Sequence, residues 1–338
     1  MAQTIRLDAD TIDDTFEAEG WSDGLPVVPP TPARVNAMLA QSGWDASHEF
    51  GTMPPRHGVV TPHILAVNAV MAGCRPEYFP VVVAAVRAIL DPLFNLFAVQ
   101  ATTHPCGPCV IVNGPIAGEL GINARYGAFG PGTRANATIG RAIRLILMNV
   151  GGARPGILDR STQGQPAKYA CCVAENEAES PFEPLHVSRG FDADESVVTV
   201  TAAEGPHNLN DHVSDKAAGI LATLRGAMND MGSNNAYLYG NPTLALGPEH
   251  AAIIAAGGYD RRRLQQFVFD EVRIERKHWL EGGMAKMFND DFADASAIPI
   301  IRRPEDLLVM VVGGFGRHSC WLPTFGESTQ AVSMRVER

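Results

Sequence analysis

Cysteine is scarce in this chain, with six in 338 residues. That is too sparse for a disulfide scaffold, so the expectation is free thiols in a reducing compartment. Positive charge is also in deficit: 27 Lys and Arg against 37 Asp and Glu leave a net charge of -10. Nucleic acids and anionic membranes both require a basic face, so neither is an expected partner. Anionic small molecules are not excluded, because a local pocket overrides net charge. Long apolar runs are missing as well. The longest, near Val81 to Leu90, is broken by Arg87 and is too short to span a bilayer. The first twenty residues are polar and acidic and lack the basic and apolar regions of a signal peptide. The expectation is therefore a cytoplasmic protein. A dinucleotide fingerprint is absent too: Gly313-Gly314-Phe315-Gly316 lacks its glycine spacing, so no NAD or other nucleotide is expected.

A hydrophobic content of 46% with 19% charged residues suits a large core. The length corresponds to roughly two domains of about 100–200 residues each. Residues 1–50 read as an arm. Its segment Trp21-Ser22-Asp23-Gly24-Leu25-Pro26-Val27-Val28-Pro29-Pro30-Thr31-Pro32 is forced into an extended, polyproline-like path. Such a segment is either a strap over a neighbouring surface or a substrate lid. Residues 51–190 read as a first α/β half. Thr61-Pro62 opens a helix that Gly73 closes, a second helix runs from about Glu77 to Leu90, and a third from about 135 to 149. Leu96 to Ala101, Val110 to Val112 and Tyr169 to Val173 read as strands. Residues 191–338 read as a second half, with strands at Ser196 to Ala202, Thr243 to Leu246 and Leu307 to Val312. Ser214 and Asp260 are placed to cap helices. Alternating strands and helices imply an α/β fold, with two halves of mostly parallel strands facing a shared cleft. ValIleValAsnGlyProIleAla (110–117) and LeuAlaLeuGlyProGluHisAla (244–251) both read strand, Gly-Pro, helix, which hints at a duplication.

Four constellations carry the candidate chemistry. The first is His104-Pro105-Cys106-Gly107-Pro108-Cys109. A Cys-x-x-Cys pair can cycle between dithiol and disulfide or bind a metal. The Val-Ile-Val strand that follows argues against thioredoxin chemistry, which needs a helix there. Cys106 remains a candidate nucleophile with His104 as base, and Cys109 reads as core. The second runs from Glu175-Asn176-Glu177 through Glu183 to His186, at the end of an apolar strand. Strand ends are where α/β proteins place functional groups. Its carboxylates and histidine could move protons or bind a cation, and Glu177 or Glu179 could equally be a solvated loop. The third is His207-Asn208-Leu209-Asn210-Asp211-His212. That density of histidine and carboxylate suits acid–base work or a transition metal, although an Asx-turn network at a helix entrance would use the same residues. The fourth is the glycine-rich turn leading to Arg317 and His318; Arg317 suits a carboxylate or phosphate. Arg134, after Gly130-Pro131-Gly132-Thr133, sits where a helix N-terminus could bind an anion. The remaining histidines, at 48, 57, 63, 250 and 278, read as surface or satisfied core positions.

TrpSerAspGlyLeuProValValProProThr, HisProCysGly with ValIleValAsnGlyPro, GluAsnGlu with SerProPheGluProLeuHis, GlyProHisAsnLeuAsnAspHis and GlyArgHisSer are motifs spread over nearly the whole chain. Together they resemble a bacterial family whose members look like companions of, or fusions to, proteins with a Sec-Gly-Ser-Cys (UGSC) motif. The resemblance implies thiol or selenol chemistry on a small molecule, such as redox or carbon–heteroatom bond cleavage. This chain has no Cys-Gly-Ser-Cys of its own. Three readings follow. One is a thiol enzyme, an oxidoreductase or lyase, with Cys106 as nucleophile, His104 or His207 as base, Glu175 and Glu183 orienting it, His318 at the substrate, and Asn176, Asn208, Asn210, Arg134 and Arg317 binding substrate. The second is a metal-dependent lyase or hydrolase holding Zn²⁺ or Fe²⁺ on His186, His207, Asp211 and His212, with Glu183 as a further ligand. The third is a non-catalytic subunit that presents substrate to a partner. A small-molecule substrate and an oligomer, of this chain or with a partner subunit, are expected, and the four loops are expected to converge on one pocket.

Overall fold

The computed structural model describes residues 5–281, 292, 295–326 and 328–338. Twelve strands occur among these residues: β1 Gly51–Met53, β2 Gly58–Val60, β3 Gly107–Asn113, β4 Cys172–Ala174, β5 Val197–Ala203, β6 His207–Asn210, β7 Thr243–Leu246, β8 Arg273–Glu275, β9 Ala297–Pro299, β10 Leu308–Val311, β11 His318–Leu322 and β12 Val332–Arg335. β1 with β2 and β8 with β9 form small ribbons. The other eight form two four-stranded sheets, ordered β12-β5-β3-β4 and β10-β7-β11-β6.

The two sheets repeat one plan. In the first, β3 lies parallel to β4 and antiparallel to β5, which pairs antiparallel with β12. In the second, β7 lies parallel to β10 and antiparallel to β11, which pairs antiparallel with β6. The fourth strands are exchanged. β6 follows β5 in sequence but joins the second sheet, and β12 follows β11 but returns to the first. The Gly-Pro echo falls at equivalent places, after β3 and after β7, and each opens a helix. Both glycines are dictated by a close approach: a Cβ on Gly114 would lie 2.0 Å from the Glu195 carbonyl oxygen, and one on Gly247 would lie 2.1 Å from that of His318. The expected duplication is thus visible in topology. The expectation of mostly parallel sheets is corrected, because only β3–β4 and β7–β10 are parallel and both sheets are mixed. Nor do the strands divide at residue 190, since β5 and β12 pair within the first sheet.

Strand alternation shows how the layers stack. On β3, Val110 and Val112 join one core with helices Pro62–Ala72, Phe79–Leu90 and Arg134–Asn149. Cys109 and Ile111, on the opposite face, join a core shared with Ala245, Leu308, Met310 and Leu322 of the second sheet. Leu244, Val309 and Trp321 face the other way, towards helices Ala217–Met228, Pro248–Ala256 and Arg261–Glu271. The order is helices, sheet, sheet, helices. The two sheets pack against each other through this shared core, so no cleft between the expected halves is seen among the described residues.

The Pro62–Ala72 helix begins and ends where the sequence places it. The Thr61 hydroxyl accepts the Ile64 N–H, and Gly73 closes the helix with φ of 88°. Leu96–Ala101, expected as a strand, is a helix; a six-residue apolar run carries no period that separates the two. The proline-rich segment is a strap. Arg141 grips Asp23 with Nε and Nη2 at 2.9 and 2.8 Å and donates to the carbonyls of Leu25 and Pro26. Asn149 donates to Trp21, and the Val28 N–H donates to Met71. No single helix among the described residues is long and apolar enough to cross a membrane.

Candidate functional site

Parallel strands β3 and β4 end side by side, and the residues just past them meet. Glu175 follows β4 and is fully buried in its side chain. Its Oε2 accepts from Asn113 Nδ2 and from the Leu185 N–H, both at 2.6 Å. Its Oε1 faces Arg261 Nη2 at 3.7 Å, an ion pair too long for a hydrogen bond. Arg261 arrives from the outer helices of the second sheet and donates to the carbonyls of Val309 and Glu183. Burial pushes the Glu175 carboxyl up, and the Arg261 charge, the Leu185 N–H and Asn113 offset only part of this. Burial likewise lowers Arg261. Both shifts carry the sign of desolvation, so at 3.7 Å the pair does not compensate its own burial.

Glu177 lies beside this pair at the surface of the site. Its Oε1 accepts from Asn113 Nδ2 and the Gly114 N–H, each at 2.8 Å, and lies 3.8 Å from Nδ1 of the buried His186. Five buried polar atoms here have no hydrogen-bond partner among the described residues: Asn113 Oδ1, Glu175 Oε1, both His186 ring nitrogens and Arg261 Nε. Folded proteins seldom leave such atoms unpaired, which makes the cluster a candidate site for a ligand or for proton movement. A cavity of about 790 Å³ opens against it, lined by Gly114, Gly118, Asn123, Thr133, Asn176 and Glu177 among others. Asn176 closes the adjoining wall, its N–H donating to Val311 and its Nδ2 to Gly313 and Glu179, so the ends of β4 and β10 meet here.

The other expected site residues do not gather at this point, which corrects the expectation of one pocket. His104 and Cys106 precede β3, so seven residues of strand separate them from the Glu175 end, about 23 Å. Cys106 is fully buried, near the Val99 carbonyl, and burial pushes its thiol up to about 12. A thiol of that kind is not a nucleophile near neutral pH. Cys109 lies in the core between the sheets while Cys106 lies in the core under the helices, so the two do not form a pair. Burial and the separation of the two cysteines both count against the thiol reading of Cys106. His104 Nε2 is bound to Glu204 at 2.7 Å instead. Glu183 is exposed, and its carbonyl, not its carboxylate, meets Arg261. Arg134 binds the Gly73 carbonyl through Nε and Nη2, a helix-end tie that occupies the expected anion ligand.

The proposed metal set is dispersed. His186 is buried beside Glu177, and His207 is exposed on β6 opposite Trp321. Asp211 accepts from the N–H groups of Val213 and Ser214 and from Thr223, which hold its carboxyl down at about 2. It is the Asx-type network weighed in the sequence. His212 does have a partner: its Nε2 lies 3.0 Å from Nε2 of His318, whose Nδ1 meets Asn208 Oδ1 at 2.9 Å. Asn210 pairs with His318 across the β6–β11 ladder. Arg317 donates to the carbonyls of His212 and Ser214, fastening that loop. No group of three or more His, Cys, Asp or Glu side chains among the described residues is arranged to hold a metal. His250, read as surface or satisfied core, is core, bound to the Ser319 hydroxyl and the Asp211 carbonyl.

Sequence reading missed Asn113 and Arg261. Asn113 had a signal, being the polar residue that ends an apolar strand before Gly-Pro. Arg261 stands at the start of Arg261-Arg262-Arg263, which reads as surface charge, yet it shares the buried i, i+3, i+7 stripe with Leu264 and Val268. Comparison with family models, with curated proteins and with solved structures finds no match to this chain.

Proposed function

We propose that this chain is a small-molecule enzyme that works by acid–base chemistry, with Glu177 as the proton-transferring group. The cluster of unpartnered buried polar atoms behind a solvent-open cavity carries this reading. Asn113 and Gly114 hold one oxygen of Glu177, which leaves the other for substrate. His186 stands behind it, and Glu175 with Arg261 fixes the wall. A lyase reaction, with a carboxylate removing a proton as a carbon–heteroatom bond breaks, suits this set. Where thiol or selenol chemistry takes part, a partner subunit supplies it, because Cys106 is buried.

The test compares the chain with Glu177→Gln on a pooled panel of small hydroxy, amino and thio carboxylic compounds, read by mass spectrometry. Conversion by the wild type and a loss of about 10²–10⁴-fold in the variant are expected, the range for a general base. Equal conversion by both overturns the assignment, and no conversion by either favours the substrate-presenting subunit.

A second reading has one observation in its favour. With the Nδ1–H of His318 donated to Asn208, its Nε2 offers a lone pair towards His212, the arrangement of a metal-ligating histidine with its outer partner. A divalent transition metal would have to displace the hydrogen bond between the two rings and find further ligands beyond them, and would then activate water.

A further inference from the structure

Helix Arg134–Asn149 and the loop after Pro155 enclose a second cavity, of about 510 Å³, at the edge of the strap. It is lined by Asp23, Arg144, Met148, Asp159, Ser161, Lys168 and Tyr169 among others, none of them in the acid–base site. Two cations meet one carboxylate there. Asp159 Oδ2 lies 2.8 Å from Lys168 Nζ and 3.2 Å from Arg144 Nη2, and Lys168 also donates to the Ser161 hydroxyl at 2.6 Å. Asp23, the other acid in the wall, is occupied by Arg141. The wall therefore holds one positive charge in surplus, in a chain whose net charge is -10.

Arg144 is the unusual member. Its side chain is 11% exposed, and the bond to Asp159 is its one hydrogen bond among the described residues. A guanidinium has five N–H donors in a planar fork. The rest of this fork has no partner among the described residues and is not cut off from solvent, so it is free to receive an anion that enters the cavity. Structural packing of the loop needs one salt bridge to Asp159, and two cations are brought to it.

We propose that this cavity binds a small organic monocarboxylate. Its carboxylate takes the free edge of Arg144 and the charge of Lys168, and Met148 with Tyr169 covers its apolar part. The single surplus charge favours a singly charged anion over phosphate, and the planar fork favours carboxylate geometry. The site is independent of the acid–base assignment.

Calorimetric titration of the full chain with benzoate, propionate, benzamide and inorganic phosphate tests this. The expected result is heat from at least one carboxylate, none from the neutral benzamide, and weaker binding of phosphate. Arg144→Gln and Lys168→Gln should each weaken carboxylate binding by at least about tenfold, while Glu177→Gln leaves it unchanged. If Arg144→Gln fails to fold, Lys168→Gln carries the comparison. Benzamide or phosphate binding as well as the carboxylates, no carboxylate binding, or binding unaffected by Lys168→Gln would each overturn the proposal. Loss of binding in Glu177→Gln would place the carboxylate in the other cavity and overturn it as well.

Discussion

His186 Nδ1 lies 3.8 Å from Glu177 Oε1, and neither nitrogen of this fully buried ring has a hydrogen-bond partner among the described residues. A histidine retained only for packing would find a backbone carbonyl or a hydroxyl, as His250 does with Ser319 and Asp211. The contrast between these two buried rings separates a satisfied core histidine from one whose nearest polar group is the Glu177 carboxylate.

Replacing His186 by Leu, close to it in volume, should therefore cost little stability. No hydrogen bond among the described residues is lost, and removing a buried polar group that has no partner relieves its desolvation cost. Turnover should nevertheless fall. A melting temperature that collapses together with activity would mark His186 as a structural residue.

Cys106 should be the wrong place to look for a reactive thiol. Its thiol is pushed up to about 12 and has no route to solvent. Iodoacetamide should modify the half-buried Cys171 before Cys106 or Cys109. Cys106→Ala should retain activity, whereas Cys106→Ser places a hydroxyl in an apolar core and should cost about 1–3 kcal/mol. First labelling at Cys106, read by peptide mass spectrometry, would restore the thiol reading.

The strap should depend on one ion pair. Asp23 and Arg141 have side chains 3% and 16% exposed, and breaking a buried pair by removing one partner costs about 3–5 kcal/mol. Burial raises the Asp23 carboxyl, but its hydrogen bond to Arg141 and that charge outweigh this, so the net shift is downward from 3.8. A depressed carboxyl stabilises the fold above its unfolded value and loses that contribution as pH falls through the folded one. Asp23→Asn should therefore be less stable than wild type at neutral pH, with the gap narrowing below about 3.8 in thermal melts. A constant gap across that range would show that Asp23 stays neutral or does not hold the strap.

Much of the first sheet and its helices was legible because their signals are local. Thr61, Pro62 and Gly73 punctuate one helix, and Val110 to Val112 form a short β-branched run. β6 and β11 were not legible as strands. His207–Asn210 is an edge strand with Leu209 as its one buried residue, and polarity disguised it as a loop. The exchange of β6 and β12 between sheets is non-local and has no sequence period. At the site, Glu175 was recoverable because it follows a buried strand. Its ion-pair partner Arg261 is 86 positions away, and only the folded layers bring the two together. The cysteine motif misled because tetrapeptide identity says nothing about burial.

Glu175 and Arg261 offer the sharpest separation of stability from function. Arg261→Met would leave Glu175 buried without its opposite charge, and such half-pairs cost about 3–5 kcal/mol. Adding Glu175→Gln should recover much of that loss, since the double variant buries no charge and Gln keeps a carbonyl oxygen for Asn113 and the Leu185 N–H. The pH dependence has the opposite sign to that of Asp23. A carboxyl raised in the folded state favours folding most when protonated; its contribution is fully present below the unfolded value near 4.5 and is lost as pH rises through the raised folded value. Wild type should thus lose stability relative to Glu175→Gln as pH climbs above about 4.5, and the difference should level off once Glu175 is ionised. Paired thermal melts measure it. A gap that widens as pH falls instead would mean that Arg261 more than compensates the burial, making Glu175 an ordinary salt-bridge carboxylate.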